Sequence, residues 1–342
     1  MKCNLIRQGY PQGSCFVETE RGKLRACEAT LKKTDEGLLR LISAVHLSRP
    51  ENYLSIYQSG CNFSCRKCHS WSFTKAAKGD WWSPSDVLRA CKEYEGGVTL
   101  WEPRERATAF HAQDSCRCCG SCVMQGKRSS LCPQVVEKSQ ILLSPQGWGP
   151  ARNIVSFTGG DLTCCPEFYV EAVRLIKGET RLWVLIETNG YGLTPDHLDQ
   201  LKEAGVDSFW LDIKAYDDGD HKWLTGCFNR NILRLPPEIV RRGFVLEVLS
   251  LYIPNLVETA QLKKIGQLLC DLDPEIPFTI LAFFPEFQMK RYKSPTLENM
   301  VEAYHEVKAL GLRKVRLGNV GVFASTPEER RLLKREVGVG NY

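Results

Sequence analysis

From residue 153 onward, short apolar runs typical of strands alternate with segments typical of amphipathic helices. The predicted strands lie near residues 153–157, 182–186, 208–213, 245–253 and 278–284, and the predicted helices near residues 166–176, 195–204, 259–270 and 297–310. This alternation predicts parallel βαβ units that close into a full or partial barrel. In such barrels, the binding and catalytic residues lie at the carboxyl ends of the strands.

The chain has 16 cysteines, and half of them fall in two short groups. The first group follows a predicted strand at residues 53–57 and consists of Cys61, Cys65 and Cys68. The second group lies in residues 96–149, where the periodicity fails, and consists of Cys116, Cys118, Cys119, Cys122 and Cys132. The other cysteines are Cys3, Cys15, Cys27, Cys91, Cys164, Cys165, Cys227 and Cys270. They are scattered along the sequence, and we interpret them as small buried hydrophobic residues.

Composition excludes several functional classes. The 45 basic and 40 acidic residues give a net charge of +5, which is too mild to indicate a nucleic-acid partner. No apolar run approaches the roughly 20 residues of a membrane span, and the first seven residues lack the apolar stretch of a secretory signal. We therefore expect a cytoplasmic protein without membrane or nucleic-acid partners, in which the grouped cysteines have metal or redox roles.

The first cysteine group has the spacing C-x3-C-x2-C. Three thiolates on a short loop can hold three irons of a four-iron cluster, and the fourth iron is then open to a small molecule. A structural zinc site normally has four protein ligands, so zinc is the less favoured alternative for this loop.

This spacing resembles the signature of the radical S-adenosylmethionine (SAM) superfamily. The resemblance implies a [4Fe–4S] cluster, held by Cys61, Cys65 and Cys68, whose open iron binds the amino and carboxylate groups of SAM. It also implies the chemistry: an electron from the cluster cleaves SAM into methionine and a 5′-deoxyadenosyl radical, which abstracts hydrogen. Superfamily members often carry an aromatic residue just before the last cysteine, and here that position is Lys67.

A second motif, Ser-Phe-Thr-Gly-Gly-Asp at residues 156–161, ends a predicted strand. It resembles the superfamily's Gly-Gly-Glu motif, which holds the SAM amino group. The resemblance implies that Gly159, Gly160 and Asp161 bind SAM, since glycines permit close backbone approach and a carboxylate accepts hydrogen bonds from an ammonium. The alternative is an ordinary Gly-Gly-Asp turn.

Two further motifs end the next two predicted strands, with Glu187-Thr188 in one and Asp212-Ile213-Lys214 in the other. Both resemble glycyl-radical-enzyme activating enzymes of the pyruvate formate-lyase activating enzyme type. The resemblance implies that Glu187, Thr188 and Asp212 surround a monovalent cation beside the SAM carboxylate, and that Lys214 contacts SAM. A surface salt bridge between Asp212 and Lys214 is the alternative.

The last third of the chain is similar to another branch, the AmmeMemoRadiSam proteins, in residues 247–254, 284–289 and 315–320. Where that family often has histidine after its sixth strand, this chain has Phe284 and Phe287.

The second cysteine group reads as C-x2-C-x2-C followed by Cys-Pro, which resembles a ferredoxin motif. The preferred ligands of this predicted second [4Fe–4S] cluster are Cys116, Cys119, Cys122 and Cys132. Cys118 is a fifth candidate for four places. A tetrahedral zinc site is the alternative occupant, because four thiolates satisfy zinc equally well.

Together these resemblances imply an α/β fold, a partial (β/α)6-type TIM barrel with a cysteine-rich, ferredoxin-like insert. The predicted parts are a strand-rich prelude (1–50), the start of the barrel with the cluster loop (51–97), the insert (98–150), the rest of the barrel (151–325) and a C-terminal helix and tail (326–342).

The function implied is that of an oxidoreductase that cleaves SAM under anaerobic conditions and is reduced by a ferredoxin or flavodoxin. Its most specific version activates a glycyl radical enzyme. The alternatives are a radical SAM enzyme that modifies another protein or a small molecule, and a non-catalytic iron–sulfur electron carrier.

Overall fold

The computed structural model describes residues 3–20, 22–35 and 37–342. Residues 1, 2, 21 and 36 fall in the predicted prelude and lie outside the described residues. The described strands are β1 (Phe16–Thr19), β2 (Gly22–Arg25), β3 (Leu31–Thr34), β4 (Gly37–Ser48), β5 (Tyr53–Gln58), β6 (Asp80–Trp82), β7 (Leu142–Ser144), β8 (Gly147–Gly149), β9 (Ile154–Gly159), β10 (Trp183–Thr188), β11 (Ser208–Asp212), β12 (Val245–Tyr252), β13 (Phe278–Ala282) and β14 (Val315–Gly318).

The described α-helices are α1 (Asn4–Arg7), α2 (Ala26–Thr30), α3 (Trp71–Thr74), α4 (Pro84–Glu95), α5 (Ala112–Ser115), α6 (Ser121–Met124), α7 (Glu167–Glu179), α8 (Pro195–Ala204), α9 (Asp218–Thr225), α10 (Leu235–Arg241), α11 (Thr259–Leu272), α12 (Leu297–Lys308), α13 (Val320–Phe323) and α14 (Pro327–Val337). Every helix among the described residues falls short of the length and apolar character needed to cross a membrane.

One large sheet organises the fold. Its strand order is β14-β13-β12-β11-β10-β9-β5-β4-β3, with β6 paired to β4. The strands from β5 to β14 in this order are all parallel, whereas β4 is antiparallel to β5 and pairs antiparallel with β3 and β6. The predicted α/β partial barrel is confirmed, and the sheet extends beyond the predicted six strands with the additional parallel strand β14.

Helix α8 illustrates how local sequence sets the boundaries of these elements. Thr194 precedes the helix, and its side chain accepts a hydrogen bond from the backbone of His197, while Pro195 occupies a first-turn position. Gly205, in the left-handed conformation, ends the helix. Proline at the start and glycine at the end are the residues that these positions favour, and the predicted bounds of 195–204 are confirmed.

The first part of the predicted insert, residues 99–114, lies against the amino-terminal ends of the barrel strands. Arg152, fully buried just before β9, pairs with Glu102 and donates to the backbone oxygens of Thr108 (2.8 Å) and Arg106 (2.6 Å). Glu247 in β12 accepts a hydrogen bond from the backbone of Phe110 (3.0 Å). We call residues 99–114 the barrel floor, because they close the end opposite the predicted site.

Candidate active site

A cavity of about 560 Å³ lies at the carboxyl ends of β5, β9, β10 and β11. Its lining includes the predicted residues Cys61, Cys65, Cys68, Gly159, Asp161, Glu187, Thr188, Asp212 and Lys214. Motifs that are up to about 150 residues apart in the sequence therefore line the same cavity, as expected for the carboxyl ends of neighbouring parallel strands.

The first cysteine group lies on a loop that starts just after β5. Backbone hydrogen bonds fix this loop at both ends, since Asn62 donates to the carbonyl of Asp161 (2.8 Å) and Arg66 donates to that of Leu224 (2.8 Å). Burial raises the pKa of the Cys61 thiol. Three thiols on one anchored loop, facing a cavity with room for a small molecule, fit a [4Fe–4S] cluster with an open iron.

The two glycines of the Gly-Gly-Asp motif have different surroundings. Gly159 lines the cavity with φ at +82°, a conformation that favours glycine. Gly160 is not among the described lining residues and instead packs on the cysteine loop, where a Cβ would lie 2.0 Å from the carbonyl oxygen of Gly60. Its lack of a side chain therefore lets the two loops approach each other.

Asp161 joins the ends of β9 and β10. One carboxylate oxygen accepts hydrogen bonds from the Thr188 hydroxyl (2.7 Å) and the Asn189 backbone (2.9 Å). The other accepts from the backbone (2.9 Å) and hydroxyl (2.8 Å) of Thr163. A carboxylate offers about four lone-pair sites, so protein donors already use those of Asp161. In this arrangement Asp161 positions Thr188, and its predicted contact with the SAM amino group stays a prediction.

Glu187 lies inside the barrel among hydroxyl groups. Its carboxylate accepts hydrogen bonds from the hydroxyls of Tyr53 (3.0 Å), Ser156 (2.9 Å) and Thr158 (2.6 Å). Burial raises its pKa to about 7 in spite of these hydrogen bonds. Ser156 and Thr158 are spaced by two in a strand and so share its inner face, a pattern that could have predicted them as partners of Glu187.

Asp212 and Lys214 form an ion pair on the cavity wall. Their side chains are only 21% and 17% exposed, so this is not the surface salt bridge considered as the alternative. Burial lowers the pKa of Lys214, but the charges of Asp212 and Cys65 outweigh it and raise the pKa overall. The Oδ1 atom of Asp212 is buried and has no hydrogen-bond partner among the described residues. It is thus an oxygen left for a ligand or cation.

Lys67 occupies the position before Cys68 where the superfamily often has an aromatic residue. Its Nζ lies 3.5 Å from the centroid of the Phe284 ring, within the range of a cation–π contact. Burial lowers the pKa of Lys67 to about 8. Phe287, by contrast, stacks on Trp71 with ring centroids 5.3 Å apart. Phe284 therefore supplies an aromatic face to this part of the cavity from the segment that follows β13.

Asn189 is a further cavity residue that the sequence analysis did not select. Its side-chain amide donates to the Sγ of Cys61 (3.7 Å) and to the side-chain oxygen of Asn62 (2.7 Å). Because Asn189 follows Thr188 directly, its position in the same motif was an available signal.

The second cysteine group surrounds a small separate cavity of about 20 Å³. The preferred ligands Cys116, Cys119, Cys122 and Cys132 all line it. The fifth candidate, Cys118, instead places its Sγ 3.2 Å from the side-chain oxygen of Asn52. Among the residues that the structure describes, including both cysteine groups, no three His, Cys, Asp or Glu side chains converge on one metal-ion position.

The two cysteine groups lie at opposite ends of the barrel. Cys118 contacts Asn52, just before β5, whereas Cys61 lies past the far end of that strand. A strand of six residues spans about 20 Å at roughly 3.3 Å per residue, so the groups are well separated.

Among known protein families, the model of the Radical SAM superfamily matches residues 114–259 of this chain. This match includes the Gly-Gly-Asp motif, the ends of β10 and β11 and the second cysteine group. It begins after the loop that carries Cys61, Cys65 and Cys68.

Two curated relatives match a third of the chain. A protein of Methanocaldococcus jannaschii, named as a glycyl-radical enzyme activating enzyme, is 33% identical over 117 residues, which are 33% of this chain and 43% of the relative. The pyruvate formate-lyase-activating enzyme of Clostridium pasteurianum is 28% identical over 116 residues, or 34% of this chain and 47% of the relative. The chain thus matches less than half the length of each relative.

Among solved structures, the crystal structure of SuiB from Streptococcus suis aligns with 81% of this chain and 53% of SuiB. The TM-score is 0.50 at 12% sequence identity. At this identity the similarity concerns the fold alone.

Proposed function

We propose that this chain is an enzyme that reductively cleaves SAM at the cavity described above. The match of the Radical SAM superfamily model to residues 114–259 supports this proposal. One observation best supports this proposal: the same cavity is lined by Cys61, Cys65, Cys68, Thr188 and Asp212. The second cysteine group is the less favoured location for SAM, because it lies at the opposite end of the barrel around a much smaller cavity.

Individual residues have distinct roles in this proposal. The three cysteines hold the [4Fe–4S] cluster, which supplies the electron for SAM cleavage when it is bound. Lys214 and the unpartnered oxygen of Asp212 bind the polar end of SAM, with or without a monovalent cation. Asp161 keeps Thr188 in place, and the wall of the barrel limits the access of water to the reacting groups.

The finer proposal is that the substrate is a glycyl radical enzyme and that a ferredoxin or flavodoxin reduces the cluster in the cytoplasm. The names of both curated relatives support this substrate class. The alternatives are another protein or small-molecule substrate and a non-catalytic electron carrier. A large cavity beside the cysteine loop argues against the carrier, which has no need to bind SAM.

The proposal is tested by incubating the anaerobically reconstituted, reduced protein with SAM and measuring 5′-deoxyadenosine. Formation of the nucleoside supports cleavage, and its absence under reducing conditions contradicts it. Adding a candidate glycyl radical enzyme then tests the substrate separately from SAM cleavage. Activation would produce a protein radical that electron paramagnetic resonance detects.

Replacing Asp212 by alanine should weaken SAM binding without lowering the iron content. The change removes the partner of Lys214 and the unpartnered oxygen in the cavity, so we expect the Kd for SAM to rise about 10- to 100-fold. Any dependence of SAM binding on potassium or sodium should also disappear. SAM titrations in different monovalent salts measure both effects.

Asp199→Ala is the matched control for this experiment, because the Asp199 side chain is 59% exposed and pairs with Arg242 on the surface. It should bind SAM like the wild type. An Asp212→Ala protein with unchanged affinity and unchanged ion dependence would mean that this part of the cavity does not bind SAM.

For the second cysteine group, Cys132→Ser and Cys118→Ser should have different effects. Cys132 lines the small cavity with the other preferred ligands, whereas Cys118 points toward Asn52. If the group holds a [4Fe–4S] cluster, Cys132→Ser should reduce the iron content by about four atoms per chain and Cys118→Ser should not. Loss of about one zinc instead identifies a zinc site, and equal losses in both variants contradict the ligand assignment.

A further inference from the structure

Another cavity, of about 680 Å³, lies on the outer side of the cysteine loop, and the proposed function makes no use of it. It lies between the β1–β2 hairpin, the cysteine loop, helix α9 and the short helical turn at residues 287–289. We call it the outer groove. The residues that define it are Lys23, Ser64, Arg66, Lys75, Lys222 and Trp223.

The cysteine loop is a wall, one chain thick, between the outer groove and the proposed SAM cavity. Phe63, Cys65 and Lys67 line the cavity, whereas the intervening Ser64 and Arg66 line the groove. Among the described residues, the groove and the cavity share no lining residue. Consecutive Cα atoms are about 3.8 Å apart, so the groove begins one residue away from Cys65.

Backbone hydrogen bonds fix this wall to the elements that frame the groove. The amide of Ser64 donates to the carbonyl of Thr225 in α9 (2.9 Å), and the amide of Gln288 donates to the carbonyl of Arg66 (3.1 Å). The Lys75 ammonium donates to the hydroxyl of Ser64 (3.3 Å). A partner in the groove would therefore meet a preformed surface next to Cys65.

The lining of the groove is basic. Its described residues include four basic side chains, those of Lys23, Arg66, Lys75 and Lys222, and one acidic side chain, that of Glu18. Glu18 pairs with Lys23 (3.5 Å), so basic charge remains in excess. The aspartates of the first turn of α9 lie outside this lining and accept hydrogen bonds from helix amides, Arg230 and Gln261. The groove thus favours a partner with a negatively charged surface.

Exposed aromatic side chains border the same groove. Trp71 stacks on Phe287 with ring centroids 5.3 Å apart, and the Tyr292 ring lies 6.0 Å from that of Trp223. The Lys222 ammonium lies 4.3 Å from the ring of Phe228. Five of the eleven exposed large apolar side chains among the described residues are at the groove, namely Phe16, Trp71, Trp223, Phe228 and Tyr292. Such a concentration of exposed aromatic residues marks a protein interaction surface.

We propose that the outer groove is the docking surface for an acidic one-electron carrier protein, which delivers its electron through the wall at Cys65. This inference rests on the proposed function, because it concerns the reductant of SAM cleavage. The reduced carrier gives up one electron to the centre held by the cysteine loop and is itself oxidised by one electron. A substrate has to reach the cavity side of the wall, whereas an electron can cross it. Opposite charges on the groove and the carrier would speed up their encounter.

The test compares two reductants of the anaerobically reconstituted full chain. The variant is Lys23→Glu/Lys222→Glu, which reverses two exposed charges of the groove outside the cysteine loop. With a limiting amount of reduced flavodoxin, an acidic carrier protein, formation of 5′-deoxyadenosine at low salt should slow by at least about 10-fold. With dithionite, a small reductant that needs no docking surface, the rate should equal that of the wild type.

Lys202→Glu/Lys334→Glu is the matched control. It causes the same change in net charge at exposed positions of α8 and α14, which do not line the groove. This control should behave like the wild type with both reductants. A flavodoxin-driven rate that is unchanged in the groove variant, or slowed equally in both variants, would overturn the proposal.

Direct binding separates this proposal from the proposed function, because it requires no SAM. The Kd of dye-labelled flavodoxin, measured by fluorescence anisotropy, should rise at least about 10-fold in the groove variant and stay unchanged in the control. If the wild type forms no nucleoside even with dithionite, SAM cleavage is contradicted, and the binding result still decides the docking surface. Unchanged flavodoxin binding in the groove variant would overturn the proposal. So would a groove variant that accepts electrons normally but no longer activates a glycyl radical enzyme, since the groove would then bind the substrate.

Discussion

Replacing Cys65 by alanine should abolish the formation of 5′-deoxyadenosine. Cys65 is one of three thiols on the loop beside the SAM cavity, and its loss leaves the proposed cluster without a ligand. Even outer partners of metal ligands typically contribute 10- to 100-fold to metal affinity or activity, so loss of a ligand should lower SAM cleavage by more than about 100-fold. The measurement is single-turnover nucleoside formation after anaerobic reconstitution and reduction.

Cys270→Ala is the control for this experiment, since Cys270 lies outside both cysteine groups and donates to the backbone carbonyl of Leu310, and it should retain full activity. The result also decides between the two cysteine groups. The matched family domain starts at residue 114 and contains only the second group, so Cys65→Ala with near wild-type turnover would indicate that SAM is not cleaved at the first.

Replacing Arg152 by methionine should lower the free energy of unfolding by about 3 kcal/mol, because the buried carboxylate of Glu102 loses its fully buried partner. Glu102 keeps its ion pair with the more exposed Arg106 (2.9 Å), which limits the loss. Arg152 also donates to three backbone carbonyls, those of Glu51, Arg106 and Thr108. Urea unfolding followed by circular dichroism gives the difference between the variant and the wild type.

Arg313→Met is the matched surface control. The Arg313 side chain is 72% exposed and pairs with Glu275, so its removal should cost less than about 1 kcal/mol. Adding Glu102→Met to Arg152→Met should recover part of the lost stability, because the buried carboxylate is then gone and the partly exposed Arg106 keeps Asp114 (3.7 Å) as an ion-pair partner. Equal stability of Arg152→Met and Arg313→Met would mean that the buried pair does not hold the barrel floor in place.

The sequence predicted the barrel well because its signals are local. Strands β9 to β13 and helix α8 have clear hydrophobic periodicity and end at recognisable glycine and proline positions. Helices α9 and α10 were not predicted. In α10, two prolines occupy the first turn, so the strongest local signal is one that is also typical of loops.

The site was predicted as a set of residues but not as a network. Asp161, Glu187 and Asp212 were selected from motifs that end strands. The hydrogen-bond partners of Glu187 were not, because Tyr53 and Ser156 lie in other strands and come close to Glu187 only through the order of strands in the sheet.

The barrel floor limits how this protein can be recombined with its relatives. A chimera that exchanges all of residues 98–150 for a short linker would remove Glu102 and the backbone of Phe110, on which Arg152 and Glu247 depend. Of their hydrogen bonds, Arg152 would keep only the one to the carbonyl of Glu51 (3.2 Å) and Glu247 only the one from the hydroxyl of Thr279 (3.4 Å). Two buried ionisable groups would thus lose their main partners, at a cost of several kcal/mol. An exchange that begins after residue 114 keeps those contacts. The portion of the insert that behaves as a transplantable unit is therefore the cysteine-bearing part, and the boundary for grafting lies inside the insert rather than at its edge.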